Sequence, residues 1–123
     1  MSGAGNYQLR SFCVIIPMFN EESGAEVCVR RVCPALETIP YASKLITVND
    51  GSRDRTGAIL DSLAPEFPKL EVVHHAKNGG YGAALRTGIQ KAAELKFDYA
   101  LFMDSDLTND PGQYWADYCH AYA

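Results

Sequence analysis

Four short apolar runs punctuate the chain, at residues 12–16, 44–48, 70–73 and 99–103. They are rich in β-branched and aromatic residues and are mostly continuous rather than alternating. That is the pattern of strands buried on both faces, as in a parallel sheet covered by helices. Helical periodicity fills the gaps. Over residues 25–39 the apolar positions Ala25, Cys28, Val29, Val32, Leu36 and Ile39 line one helix face. Pro34 falls inside that pattern and predicts a kink or an early end. A second helix is predicted after Asp54 as N-cap, carrying Ile59, Leu60 and Leu63 before Pro65 stops it. A third is predicted over residues 83–95, preceded by Gly79, Gly80 and Gly82. A last helical pattern, over residues 112–123, puts Tyr114, Tyr118 and Tyr122 on one face, where they are expected to pack toward a core. Strand–helix alternation of this kind predicts an α/β fold with right-handed crossovers.

Composition narrows the class. The chain has 123 residues, 47% of them hydrophobic and 21% charged. That balance describes an ordinary globular chain, and the length suits one domain, residues 1–123. With 15 acidic and 11 basic residues the formal net charge is −4, which argues against nucleic acid as a partner, since such binding relies on Lys and Arg. No apolar run approaches the roughly 18 residues of a membrane-spanning helix, and the first six residues lack the basic and apolar regions of a secretory signal. A cytoplasmic location is expected. Cys13, Cys28, Cys33 and Cys119 form no CxxC pair and are expected to be free thiols, Cys13 and Cys28 or Cys33 buried.

The polar clusters follow the strands. The first strand runs into Pro17, Met18, Phe19, Asn20, Glu21 and Glu22, the second into Asn49, Asp50, Gly51 and Ser52, the fourth into Asp104, Ser105 and Asp106. In an open parallel sheet all three meet at the carboxyl edge, where ligands bind. The glycine-rich loop Asn78-Gly79-Gly80-Tyr81-Gly82 belongs to the same edge. Asp104-Ser105-Asp106 is the sharpest feature: two carboxylates one residue apart at a strand end suit a hard divalent cation, Mg²⁺ or Mn²⁺, with phosphate oxygens completing its shell. Glu22 reads as a first-turn helix residue and Asp54 as a cap. The glycines either turn the backbone or admit a ligand closely. They do not form GxGxxG, which disfavours a dinucleotide-binding domain. His74 and His75 are adjacent and point to opposite faces, so they read as an ordinary half-exposed pair rather than a metal site.

Taken together, Val14-Ile15-Ile16-Pro17-Met18-Phe19-Asn20-Glu21, Val48-Asn49-Asp50-Gly51-Ser52-Arg53-Asp54-Arg55-Thr56, Asn78-Gly79-Gly80-Tyr81-Gly82-Ala83-Ala84 and Met103-Asp104-Ser105-Asp106 resemble the family 2 glycosyltransferases of the GT-A fold, nearest to the polyprenyl- and dolichyl-phosphate sugar synthases. The resemblance spans residues 12–111. It implies a Rossmann-like three-layer αβα architecture with a mainly parallel sheet of order 3-2-1-4, and a nucleotide-sugar donor such as a UDP- or GDP-sugar. By position Pro17, Phe19 and Glu21 would hold the nucleoside, with Val48 and Asp50 beside its base. Asp104, Ser105 and Asp106 would bind the diphosphate, and Asp104, Asp106 and Thr108 the metal. Phe19 stands where relatives usually carry Tyr, Asn49 where they carry Asp, and Thr108 where Gln or Ser is common. The implied reaction is an inverting sugar transfer, with a lipid phosphate as one acceptor class, at the cytoplasmic face of a membrane in a longer protein. An already ionised phosphate would need no strong base; a base for a sugar hydroxyl is not found here.

On this reading the chain is the donor-binding part of a GT-A domain, expected to be inactive alone, and the exposed edge of the fourth strand is expected to favour self-association. Two rivals differ in kind. A non-catalytic nucleotide-sugar-binding module would bind donor without transfer. A Mg²⁺-dependent receiver-like or phosphatase domain would need a Lys at a later strand end, and none follows a strand here.

Overall fold

A computed structural model describes residues 11–105. They form β1 (Ser11–Met18), α1 (Ala25–Glu37), β2 (Ala42–Asn49), α2 (Thr56–Leu63), β3 (Leu70–His74), α3 (Tyr81–Glu94) and β4 (Tyr99–Phe102). All pairings are parallel and the order is β3-β2-β1-β4. The expected sheet order is therefore the observed one. The tyrosine row, Cys119, Asp106 and Thr108 lie outside the described residues.

The central strand explains the three layers. Phe12, Cys13, Val14, Ile15 and Ile16 are all fully buried, and successive side chains of a strand alternate between faces. Phe12, Val14, Ile16 and Met18 pack with Cys28, Val29, Val32 and Leu36 of α1 and Leu60 and Leu63 of α2. Cys13 and Ile15 pack on the opposite side with Ala84 and Ala92 of α3. At Gly88 a Cβ would overlap Ile15 Cγ2, so α3 approaches β1 as closely as it does because that position carries no side chain. Burial pushes the Cys13 and Cys33 thiols up to about 11 and Cys28 to about 12; all three are free and buried, as expected of apolar packing residues.

Two expected helix boundaries, an early end of α1 at Pro34 and the start of α3, need correction. Pro34 does not end α1 early: the helix continues to Glu37. The ring removes a single N–H near the helix end, where Cys33 and Leu36 are held in the core. The Thr38 and Ile39 N–H groups then close the last turn on Ala35 O and Leu36 O. α3 begins at Tyr81 rather than at residue 83 because Gly80, at φ +93°, turns the chain into the helix, and its carbonyl accepts from Ala84 N.

β4 is an edge strand among the described residues, with Phe102 42% exposed. No helix among the described residues is long and apolar enough to cross a membrane.

Candidate functional site

The carboxyl ends of β1, β2 and β4 converge, and two loops there are stitched together. Asn20, at φ +53°, donates its N–H to Ser52 Oγ (2.9 Å), and its own Oδ1 accepts from Arg53 N (2.9 Å). Glu21 N donates to Thr56 Oγ1 (2.8 Å) and Glu22 N to Asp54 Oδ2 (3.2 Å). The polar residues of Asp50-Gly51-Ser52-Arg53-Asp54-Arg55-Thr56 thus orient the loop after β1. Asp54 was expected as the N-cap of α2, whose cap residue is Arg55. Its carboxylate still caps: Oδ1 accepts from Thr56 N (2.9 Å) and from Thr56 Oγ1 (2.6 Å). The side chain reaches the first helical N–H from one residue further back and keeps its second oxygen for the neighbouring loop.

Asp50 is the hub of the edge. It is 3% exposed, and each carboxylate oxygen takes two donors. Oδ1 accepts from His75 Nδ1 (2.7 Å) and Gly79 N (2.9 Å), Oδ2 from Asn78 Nδ2 (3.0 Å) and Gly80 N (2.9 Å). Burial alone would raise its pKa. The Gly79 N–H, the His75 ring and the Gly80 N–H outweigh burial and hold the carboxyl below the usual range. The glycine loop is therefore no open phosphate cradle, since the N–H groups of its first two glycines, Gly79 and Gly80, point at Asp50. Gly51, at φ +70°, runs against this loop so closely that a Cβ would overlap Asn78 N.

These elements enclose a cleft of about 420 Å³. Pro17, Met18, Phe19 and Glu21 line it from β1 and the loop after it, and Asp50 from β2. Asn78, Gly80, Tyr81 and Ala84 come from the glycine loop and α3, Asp104 and Ser105 from the end of β4. Six of the residues singled out from the sequence thus share one cavity: Pro17, Phe19, Glu21, Asp50, Asp104 and Ser105. Val48 does not line it. Its side chain is fully buried with Ile46 and Ala84, so it offers the cleft no side chain. Asp106 and Thr108 fall outside the described residues. Asn78 and Tyr81 were not singled out individually. The exposed rings of Phe19 (44%) and Tyr81 (58%) both border the cleft, flat surfaces suited to a base or sugar face.

Asp104 contrasts with Asp50. It is exposed, lines the cleft, and accepts no hydrogen bond or ion pair from a described residue. An unpartnered hard oxygen donor at a cleft wall fits a divalent cation. The described residues contain no cluster of three or more His, Cys, Asp or Glu able to hold a metal.

The two histidines do diverge. His74 Nδ1 meets Asn49 Nδ2 (3.0 Å) and its Nε2 meets Asp61 of α2 (2.8 Å). His75 turns the other way, to Asp50 and to Thr87 of α3. That excludes a shared metal. The expectation of an ordinary half-exposed pair fails for His75, whose side chain is only 19% exposed and bonded at both ring nitrogens.

Comparison with known proteins agrees with this geometry. An undecaprenyl-phosphate 4-deoxy-4-formamido-L-arabinose transferase of Aeromonas hydrophila subsp. hydrophila is 34% identical over 107 residues, 86% of this chain and 32% of that protein. A bactoprenol glucosyl transferase of Shigella phage SfV is 33% identical over 98 residues, 80% of this chain and 31% of that protein. The chain thus spans about a third of the length of these relatives. Among solved structures, the mannosyltransferase PcManGT of Pyrobaculum calidifontis, in complex with GDP-Man and Mn²⁺, superposes with a TM-score of 0.66 at 23% identity, over 81% of this chain and 28% of that one. S. aureus TarS with UDP-GlcNAc gives 0.61 at 24%, over 89% and 32%. These likenesses establish a shared GT-A fold. The family model described as glycosyl transferase family 2 matches residues 13–116, and with the strand order and the cleft at the carboxyl edge, the chain belongs to that family.

Proposed function

We propose that this chain is the donor-binding part of a glycosyltransferase that moves a sugar from a nucleoside-diphosphate sugar to an acceptor, with inversion, and that the acceptor class is a polyprenyl phosphate. One observation carries the reading: three strand ends and the glycine loop converge on a single cleft, with an Asp104 carboxylate that has no partner among the described residues on its wall. The matched relatives that act on undecaprenyl phosphate and bactoprenol support the acceptor class, and the neighbours solved with GDP-Man and UDP-GlcNAc support the donor class.

In this reading Pro17, Phe19 and Glu21 bind the nucleoside, Phe19 and Tyr81 offering rings for stacking. Asp104 and Ser105 face the diphosphate. Asp104, with Asp106 and Thr108, would hold Mg²⁺ or Mn²⁺. Such an ion, when bound, supplies Lewis-acid stabilisation of the charge on the departing nucleoside diphosphate, worth several kcal/mol. Asp50 contributes by fixing the loop that borders the cleft. A phosphate acceptor arrives ionised, so the chain's own groups need only orient donor and exclude water. The reaction would take place at the cytoplasmic face of a membrane, and the residues of this chain alone would bind donor without transferring it.

The test is calorimetric titration of UDP, GDP and their sugar conjugates, with and without Mn²⁺, on the wild type and on Asp106→Ala. Metal-dependent binding of one nucleotide, weakened at least about tenfold by the substitution, is the expected result, since loss of one charged ligand is worth at least 1.4 kcal/mol. Absence of binding under every condition would remove the donor reading. Pairing through the β4 edge belongs to the same proposal. Light scattering should show mass rising with concentration, and a constant monomer mass would dispose of it.

A further inference from the structure

The Asp50 carboxylate carries its full complement of four hydrogen-bond donors, two on each oxygen. Three of the four, Asn78 Nδ2, Gly79 N and Gly80 N, belong to the loop that Asp50 holds. They move with that loop and cannot fix the carboxylate against the rest of the fold. The fourth is different. His75 follows β3, and its main-chain N–H is bonded to Asn49 O (2.8 Å), which seats it on the sheet independently of its ring. Its Nε2 meets Thr87 Oγ1 of α3 at 2.7 Å.

An ionised carboxylate only accepts, so Nδ1 carries the proton toward Asp50. The Thr87 hydroxyl can donate to Nε2 when the ring is neutral or accept from it when the ring is charged, so both ends of the imidazole stay satisfied in either state. The ring is thus a strut from α3 to the carboxylate, and the carboxylate holds the two glycine amides beside the cleft.

We propose that His75 is a positioning residue of the nucleotide cleft: its Nδ1–H, braced by Thr87, fixes the Asp50 carboxylate, which in turn holds Gly79 and, at the cleft wall, Gly80 in place. The inference rests on the donor-binding reading for its functional consequence, and on the hydrogen-bond geometry alone for its structural one. It concerns no contact between His75 and donor, since the cleft is lined by Asp50, Asn78 and Gly80 and not by His75 itself.

The experiment uses the full chain with two readouts: amide hydrogen exchange at Gly79 and Gly80, and titration with UDP and GDP. His75→Ala is expected to speed exchange at both glycines and to weaken nucleotide binding about tenfold, the effect of losing one charged hydrogen bond. His75→Asn puts an amide N–H where Nδ1 now sits and should restore both properties. His75→Gln reaches toward Thr87 rather than Asp50 and should restore neither. Unchanged exchange in His75→Ala would overturn the proposal, as would equal losses in the Ala and Asn variants, which would mean that the ring merely fills space. If the wild type binds neither nucleotide, the donor reading fails separately. The exchange pattern then decides alone: loss with Ala restored by Asn supports the strut, and no difference between them overturns it.

Discussion

Gly51→Ala is expected to lower stability by about 4 kcal/mol, read as a fall in the urea midpoint at unchanged slope. Two penalties combine. The left-handed backbone at φ +70° strains any residue with a Cβ. The added methyl would also overlap Asn78 N and lie 2.5 Å from the Lys77 carbonyl carbon. Those are main-chain atoms, which cannot swing aside as a flexible side-chain tip could, so relief requires moving the loop that Asp50 holds. Gly80→Ala separates the two penalties. Gly80 also has positive φ, but nothing lies within 4 Å of its Cβ position, so only strain of order 1–3 kcal/mol is expected. An equal or smaller loss in Gly51→Ala than in Gly80→Ala would show that the loop yields to the methyl.

Asp50→Ala should cost about 3 kcal/mol, because it leaves the Gly79 and Gly80 N–H groups and His75 Nδ1 without their acceptor, Asn78 Nδ2 keeping only its bond to the Asp50 main-chain O (3.1 Å). Asp50→Asn should recover only part of this, since its amide nitrogen would confront two of those donors. The effect has a pH signature. Asp50 has a lower pKa in the fold than in the unfolded chain, where an Asp titrates near about 3.9. Its contribution is therefore complete above that value and is lost as pH falls from there through the depressed folded value. Urea melts from pH 7 downward should show a constant gap between wild type and Asp50→Asn until about pH 4, then a narrowing one. A gap that stayed constant into stronger acid would mean that the charge of Asp50 contributes nothing to holding the loop.

The two predictions concern residues whose importance was visible to different degrees. Gly51 and Asp50 stand out in the sequence as a turn and a strand-end carboxylate. That Asp50 spends all its acceptor capacity on the protein does not. Its strand-end position suggested a ligand-facing group and the family resemblance implied a place beside the nucleobase, but neither says what else competes for the same oxygens. Asp104 shows the opposite outcome from the same starting signal: also an aspartate after an apolar strand, it meets no described partner and remains available to the cleft. Val48 shows a third, with its side chain turned into the core by strand alternation.

What could be read directly from the chain is whatever depends on residues close together in sequence. Continuous apolar runs mark doubly covered strands, three-and-four spacing marks helix faces, and glycines mark turns; from these came the element order, the parallel sheet and the edge where chemistry gathers. Pro34 shows the limit even there, since its effect depended on how firmly Cys33 and Leu36 were held by the core around them. The remaining features required the assembled sheet. The register that sets Asn49 opposite His74 brings the next two residues, Asp50 and His75, to the same edge, and the β1–β2 pairing lets Ser52, Asp54 and Thr56 reach the loop after β1. A hydrogen-bond partner some twenty-five to thirty-five residues away is chosen by strand register and helix packing, which no local pattern encodes.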